Sequence, residues 1–185
     1  MALIACLGWG SLVWDPKQLP LGSEWFADGP VVAVEFLRQS DNGCITLVLD
    51  RSAQRVQSLW AWLAATELTE AREDLRVRER LGPKGAARFI GVWSRGDPSP
   101  AHIEALDAWA QTRNADHVIW TALPAKFGGF ERTPSAEEVI GYMRGLAPGD
   151  MRSEAERYVR RAPRQIDTPL RRRIAAELNW PPADV

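Results

Sequence analysis

The stretch Ile4-Ala5-Cys6-Leu7-Gly8-Trp9-Gly10-Ser11-Leu12-Val13-Trp14-Asp15-Pro16 lies near the start of this 185-residue chain. The residues from Leu3 to Leu7, which overlap its beginning, form a short apolar run typical of a strand buried on both faces. Gly8 and Gly10 follow, and glycine permits backbone dihedrals and close approaches that other residues do not. The stretch therefore predicts a buried first strand that ends in a tight turn, with the later strands built around it as a barrel.

Two interpretations of this turn compete. In the first, the glycines only let a buried strand leave the core, and Trp9 and Trp14 pack around it. In the second, the backbone N–H groups of Gly10, Ser11 and Leu12 face one way and form a concavity that binds an anion. Only the second interpretation predicts a ligand.

Composition limits the possible classes of protein. With 185 residues and 45% apolar composition, we expect one domain over residues 1–185, with residues 135–185 as a helical C-terminal extension packed on the barrel. The 23 basic and 24 acidic residues give no general attraction to nucleic acid or anionic lipid. No apolar run approaches the ~20 residues that cross a bilayer, and no signal peptide is recognisable, so we expect a cytoplasmic protein without a membrane partner.

The metal-binding and redox residues are few. Cys6 and Cys44 provide neither a disulfide framework nor a metal-binding spacing, and we interpret both as small reduced hydrophobic residues. His102 and His117 are too isolated to indicate a zinc site. We therefore expect no metal and no cofactor.

Strand patterns dominate the first part of the chain and helix patterns the second. Val31 to Ser40 alternates in polarity, Asp41-Asn42-Gly43 is a strong hairpin signal, and Cys44 to Asp50 continues as the returning strand. Ser135 and Glu138 form a capping box at the start of a later helix. The pattern predicts an α+β fold, a small mixed β-barrel with peripheral helices and a helical C-terminal half.

Glu79 is the candidate acid–base residue. If the helix that begins near Glu67 persists, Glu79 lies four residues after Leu75 and so falls on the stripe that faces the protein. A partly buried carboxylate is suited to taking and returning protons. The alternative is that Glu79 is one charge in the run Arg76 to Arg80, solvated or paired with a neighbouring arginine.

Two motifs resemble those of a known family. Trp9-Gly10-Ser11-Leu12 after an apolar strand resembles the Tyr-Gly-Ser-Asn or Tyr-Gly-Ser-Leu signature of γ-glutamylcyclotransferase-like proteins, and Gly8 to Trp14 looks closest to their ChaC-type branch. Leu75 to Arg80 resembles the Leu-x-x-Arg-Glu pattern of the same family. The resemblance extends to about Ser94 and does not include the helical C-terminal half.

The resemblance implies a fold, a reaction and a set of roles. It implies a small mixed β-barrel whose signature loop, here Trp9, Gly10, Ser11 and Leu12, holds a γ-glutamyl substrate. It also implies that Glu79 is the catalytic acid–base in the cyclisation of a γ-glutamyl amine or peptide, such as glutathione, to 5-oxoproline. Trp9 stands where the family usually has tyrosine, and Leu12 where many members have asparagine, which leaves the substrate open.

Several alternatives remain open at this level. The barrel could have lost its chemistry and act as a small-molecule sensor or interaction module. The arginines between Arg157 and Arg173 are either a solvated helix face or a surface for RNA or an acidic partner. Glu35 either points into the barrel or is exposed on a strand face. The segment Lys126 to Phe130 is either a mobile flap or a plain connector.

Overall fold

The computed structural model describes residues 1–183, which form eight strands and six helices. The strands are β1 (Ile4–Gly8), β2 (Val31–Gln39), β3 (Ile45–Leu49), β4 (Arg55–Gln57), β5 (Leu59–Trp62), β6 (Ile90–Ser94), β7 (Ile103–Glu104) and β8 (His117–Thr121). The helices are α1 (Leu68–Arg78), α2 (Gly85–Phe89), α3 (Leu106–Thr112), α4 (Ala136–Gly145), α5 (Asp150–Arg161) and α6 (Pro169–Leu178). The expected α+β class is confirmed.

The chain divides into two compact units, each made of two segments. The first unit contains Met1–Val32 and Gln57–Leu123, and the second contains Ala33–Val56 and the chain from Pro124 onward. The single-domain expectation stays a prediction.

The first unit is organised around β1. All five residues of β1 are buried, as the apolar run predicts. β1 pairs antiparallel with β5 and parallel with β8, and β8 pairs antiparallel with β6, so the sheet order is β5-β1-β8-β6. Helix α1 contributes Ala71 and Leu75 to the core that includes Cys6 of β1. The central position of β1 places the turn that follows it beside this core.

The expected barrel does not close within residues 1–183, whose strands form two separate sheets. The outer edge of β5 is covered by the preceding loop instead of by another strand of the sheet. Phe26 and Trp60 exchange backbone hydrogen bonds of 2.8 and 3.0 Å, and the Gly22 amide donates to the Trp62 carbonyl at 2.8 Å. Because these bonds satisfy the edge of β5, no further strand is needed there.

The second unit contains the predicted hairpin and capping box. β2 and β3 pair antiparallel on either side of Gly43, whose φ of +82° is the left-handed conformation that an Asn-Gly turn requires. At the start of α4, the Glu138 amide donates to the Ser135 hydroxyl at 3.2 Å, and the Ser135 amide donates to the Glu138 carboxylate at 2.8 Å. Both local predictions are confirmed. Among the described helices none is long and apolar enough to span a bilayer.

Helix α1 ends in a Schellman motif at Arg80. The Arg80 amide donates to the Val77 carbonyl at 3.0 Å, and the Leu81 amide donates to the Arg76 carbonyl at 3.1 Å. Arg80 has a φ of +56°, the left-handed conformation in which glycine is usual. This end places Glu79 at the C-cap of the helix, one residue after the last buried position, Arg78.

Glu35 is not exposed on a strand face and does not point into a barrel. Its carboxylate caps helix α6 inside the second unit. The residue is 9% exposed. Its carboxylate accepts from the Thr168 hydroxyl at 2.5 Å, the Phe36 amide at 2.8 Å and the Leu170 amide at 3.1 Å. Leu170 lies in the first turn of α6, where backbone N–H groups need acceptors. Burial raises the pKa of Glu35, although these hydrogen bonds oppose the rise.

Replacing Arg80 with glycine should stabilise the protein. The side chain is exposed, and left-handed backbone costs a residue with a Cβ roughly 1–2 kcal/mol. We expect Arg80→Gly to raise the free energy of unfolding by about 1 kcal/mol in urea titrations. Arg80→Ala is the control, since it removes the side chain and keeps the unfavourable φ. Equal stability of the glycine and alanine variants would contradict this explanation.

Glu35→Gln should destabilise the protein most at acid pH. The glutamine amide would turn an N–H towards a backbone donor, which costs about 1–3 kcal/mol. Because the folded-state pKa of Glu35 is raised, its contribution is full below the ordinary value of 4.5 and is lost as pH rises through the folded-state value. The difference in unfolding free energy between parent and variant should therefore shrink from pH 4 to pH 7. A difference that grows over this range would contradict the raised pKa.

Candidate functional site

The turn after β1 leaves three consecutive amides without an internal acceptor. The Val13 amide donates to the Gly10 carbonyl at 3.0 Å, and the Asp15 amide donates to the Ser11 carbonyl at 2.8 Å. Within residues 1–183, the amides of Gly10, Ser11 and Leu12 donate to no protein acceptor. These are the amides that the anion-binding interpretation of the turn requires.

Gly8 is needed for space and not for an unusual dihedral. Neither Gly8 nor Gly10 is among the described residues with a positive φ. A Cβ on Gly8 would lie 2.7 Å from Cζ3 of Trp25 and 2.9 Å from Cγ2 of Val13. The close approach of the Trp25 ring therefore explains the glycine at the end of β1.

The side chains of Trp9 and Leu12 are buried, so the turn presents mainly its backbone. Leu12 packs in the core with Cys6 and Leu75, and Trp9 is about equally buried. Ser11 is only partly buried. Of the four predicted binding residues, Ser11 is the one whose side chain contacts the cluster described next.

Glu79 is largely shielded from solvent, with 13% of its side chain exposed. Its Oε1 accepts from Nη1 of Arg78 at 2.6 Å and from the hydroxyl of Thr121, the last residue of β8, at 3.1 Å. Among residues 1–183, no group donates to the other oxygen, Oε2. Thus Glu79 is paired with a neighbouring arginine, as the alternative interpretation proposed, but it is not solvated and keeps one oxygen without a partner.

Arg78 brings the predicted parts of the site together. It is 5% exposed, and its Nη2 donates to the Ser11 hydroxyl at 3.2 Å and to the Asp15 carbonyl at 2.7 Å. Since Nη1 of the same guanidinium binds Glu79, the glycine turn and the carboxylate share one side chain as a partner. The two motifs that lie 67 residues apart in sequence therefore meet in one cluster.

Sequence reasoning placed Arg78 in the Leu-x-x-Arg-Glu pattern and in the charged run around Glu79, but gave it no role of its own. A signal was present, because Ala71, Leu75 and Arg78 are spaced i, i+4 and i+7 and therefore share one face of α1. An arginine on an otherwise apolar helix face needs partners inside the protein. Thr121 and Asp15 carried no such signal, since only the fold brings them to this face.

Cys6 faces the ion pair from β1. Burial, and to a smaller extent the charge of Glu79, raise the pKa of Cys6 to about 12, while Arg78 acts in the opposite direction. The thiol is therefore neutral at physiological pH and is a poor nucleophile. This supports the interpretation of Cys6 as a small hydrophobic residue of the core.

Two buried donors near the turn have no hydrogen-bond acceptor within the described chain. They are Nε of Arg78 and Nε1 of Trp25, whose ring packs against Gly8. Buried donors without acceptors are uncommon in folded proteins and are often found at functional sites. Their position supports the turn as the candidate site.

A shallow apolar depression of about 450 Å³ lies elsewhere on the first unit. It is lined by Gly82, Pro83, Lys84, Gly85, Arg88 and Phe89, none of which is a predicted site residue. No group of three or more His, Cys, Asp or Glu side chains among residues 1–183 is placed to hold a metal ion.

The arginine-rich C-terminal segment is mostly paired. Arg171 is 2% exposed and donates to the carbonyl oxygens of Ala162, Pro163 and Ile166. Four other arginines form ion pairs, namely Arg157 with Glu154, Arg160 with Glu156, Arg172 with Asp167, and Arg173 with Glu137 and Glu177. These partners neutralise most of the positive charge on which the RNA-binding alternative depends.

The segment Lys126 to Phe130 is a tight hairpin. Phe127 and Phe130 exchange backbone hydrogen bonds of 2.9 and 3.1 Å around Gly128 and Gly129, both in left-handed conformations. The Gly128 amide also donates to Oε1 of Gln39 at 3.0 Å. This geometry supports the connector interpretation over the flap, because the turn is hydrogen-bonded to β2.

No protein-family model and no curated protein matches this chain. The functional argument therefore depends on the geometry of the site.

Gly8→Ala should destabilise the protein. The added methyl would overlap the Trp25 ring and Val13, and overpacking of this kind costs about 1–3 kcal/mol. Urea unfolding of the variant measures the loss. The matched control is Gly141→Ala in α4, where a Cβ meets nothing within 4 Å and should be neutral or stabilising. If Gly8→Ala is as stable as the parent, the contact with Trp25 is not the reason for the glycine.

Proposed function

We propose that the protein is a γ-glutamylcyclotransferase-like enzyme, closest to the ChaC-type branch, that converts a γ-glutamyl amine or peptide to 5-oxoproline. The observation that carries the proposal is the Arg78 guanidinium, which hydrogen-bonds both Glu79 and the Ser11 turn. A substrate-binding loop and a shielded carboxylate in one cluster are the two parts that this reaction needs. Glutathione is one candidate substrate.

The chemistry requires positioning and proton transfer but no cofactor. The α-amine of the substrate attacks its own γ-carbonyl carbon, which forms the ring C–N bond, and the bond to the departing amine then breaks. The α-ammonium group loses two protons in becoming the ring N–H, and the departing nitrogen takes up two and leaves as an ammonium ion, so protons balance. Because nucleophile and electrophile belong to one molecule, holding the substrate in a folded conformation contributes much of the rate.

The binding role falls to the backbone of the turn. The amides of Gly10, Ser11 and Leu12 have no internal acceptor and are available to hold the substrate α-carboxylate. Because this contact uses main-chain atoms, leucine at position 12 does not prevent it. Trp9 contributes a buried indole where the family usually has a tyrosine.

The proton-transfer role falls to Glu79. Its carboxylate is paired with Arg78 and accepts a proton from the α-ammonium group. Both hydrogen bonds to Glu79 end on Oε1, which leaves Oε2 to face the substrate. The same oxygen then returns the proton to the departing nitrogen. We place this activity in the cytoplasm.

Glu79→Gln should sharply reduce turnover in a variant that urea unfolding shows to be folded. General acid–base catalysis contributes about 10²–10⁴-fold, so we expect 5-oxoproline release to fall by about that factor. The assay incubates purified protein with glutathione, γ-glutamyl dipeptides and γ-glutamyl amines and measures 5-oxoproline. The control is Glu70→Gln, an exposed glutamate on the same helix, which should match the parent.

The outcomes separate this proposal from its alternatives. Equal release by the parent and Glu79→Gln would remove Glu79 from the mechanism. No release from any compound by the parent would overturn the enzymatic proposal. Saturable binding of γ-glutamyl compounds without release would favour the sensor alternative.

A further inference from the structure

The guanidinium of Arg78 joins the Glu79 carboxylate to the turn after β1. Its two terminal nitrogens are directed to different parts of the site, Nη1 to the Glu79 carboxylate and Nη2 to the Ser11 hydroxyl and the Asp15 carbonyl. The side chain is 5% exposed, so solvent competes little for these donors. One rigid group therefore sets the distance between the carboxylate and the turn.

We propose that Arg78 is a positioning residue that fixes the substrate-binding turn and the acid–base carboxylate relative to each other. This inference rests on the proposed cyclotransferase function. Arg78 does not itself react. It acts through Ser11 and Asp15 on the turn and through Glu79 on proton transfer.

The planar shape of the guanidinium group couples its two contacts. Its donors lie in one plane at fixed angles, so binding Glu79 through Nη1 fixes the direction of Nη2. Nη2 meets the Asp15 carbonyl, and the Asp15 amide in turn donates to the Ser11 carbonyl. The conformation of the turn is therefore coupled to the orientation of the carboxylate. A lysine ammonium cannot reproduce this, because it is a point charge without a planar fork.

The available oxygen of Glu79 is Oε2. Arg78 and the Thr121 hydroxyl both donate to Oε1, at 2.6 and 3.1 Å. These two contacts hold the plane of the carboxylate, with Oε2 left without a donor among residues 1–183. A proton acceptor with a fixed orientation is what an intramolecular attack needs, because the α-ammonium group must reach it in the cyclising conformation.

The stability of the fold alone does not explain why an arginine occupies position 78. Its Nε is buried and has no acceptor within residues 1–183, which is unfavourable. An apolar residue would continue the face made by Ala71 and Leu75 without that cost. Because Nε of Arg171 is also buried without an acceptor in the described chain, the contacts of Arg78 to both the turn and Glu79 are what point to a role in the site.

Among residues 1–183, Arg78 is the charged group paired with Glu79, and the Cys6 thiol that faces the pair from β1 is neutral. Thr121 of β8 adds a hydroxyl but no charge. Removing Arg78 therefore removes the cation beside Glu79. The carboxylate then loses both the donor that fixes its orientation and its link to the turn.

The experiment compares three variants with the parent on the γ-glutamyl compound that the parent turns over best. Arg78→Gln should lower kcat/KM by 100-fold or more, with a lower kcat and a higher KM, because neither Glu79 nor the turn keeps its charged partner. Arg78→Lys should keep kcat near the parental value, because a cation still pairs with Glu79, but should raise KM at least 10-fold, because the turn loses its second contact. Arg80→Gln removes an exposed arginine two residues away and should behave as the parent. Urea unfolding confirms that each variant is folded.

The outcomes distinguish the two proposals. A parent that releases no 5-oxoproline overturns the proposed function, and the role of Arg78 with it. An active parent with an equally active Arg78→Gln overturns only the role of Arg78. An Arg78→Lys that loses as much kcat as Arg78→Gln does, or that keeps the parental KM, also overturns it. The separate behaviour of lysine and glutamine at this position is the result that supports it.

Discussion

The buried guanidinium of Arg78 is the interaction on which the candidate site depends. A charged group with so little exposure must find its partners inside the protein, and here they come from the turn after β1 and from the end of α1. These partners are distant in sequence but are brought together because β1 is central in its sheet and α1 packs on the core beside it. The cluster follows from the sheet order.

Buried charges in the second unit also find their partners inside the protein, but these partners belong to helix ends and loops. The buried carboxylate of Glu35 accepts hydrogen bonds from a hydroxyl and two amides, and the buried guanidinium of Arg171 donates to backbone carbonyl groups. Each of these charges serves a helix terminus or a loop, although Nε of Arg171, like that of Arg78, is buried without an acceptor in the part of the chain that the structure describes. Charge burial by itself therefore does not identify a catalytic residue, and the number and origin of the partners must be considered.

What distinguishes Glu79 is that one of its oxygens is fully occupied while the other has no donor among residues 1–183. Its partner Arg78 likewise keeps one buried donor without an acceptor. Oε2 of Glu79 is not among the fully buried atoms that lack a partner, so it is accessible to a ligand. This accessible oxygen beside the turn is the physical basis of the proposal that Glu79 transfers protons and that the turn binds the substrate.

The sequence alone determined the features that depend on neighbouring residues. The buried first strand, the Asn-Gly hairpin and the Ser135 capping box are local, because each is decided by backbone preferences and hydrogen bonds within a few residues. Glu79 and the Gly10-Ser11 turn could be selected by pattern, but their meeting could not. Only the tertiary structure decided that Arg78 joins them, that Trp25 requires Gly8, and that a loop covers β5 in place of barrel closure. The reason is that these contacts are long-range, and the residues that make them carry no local signal of their partners.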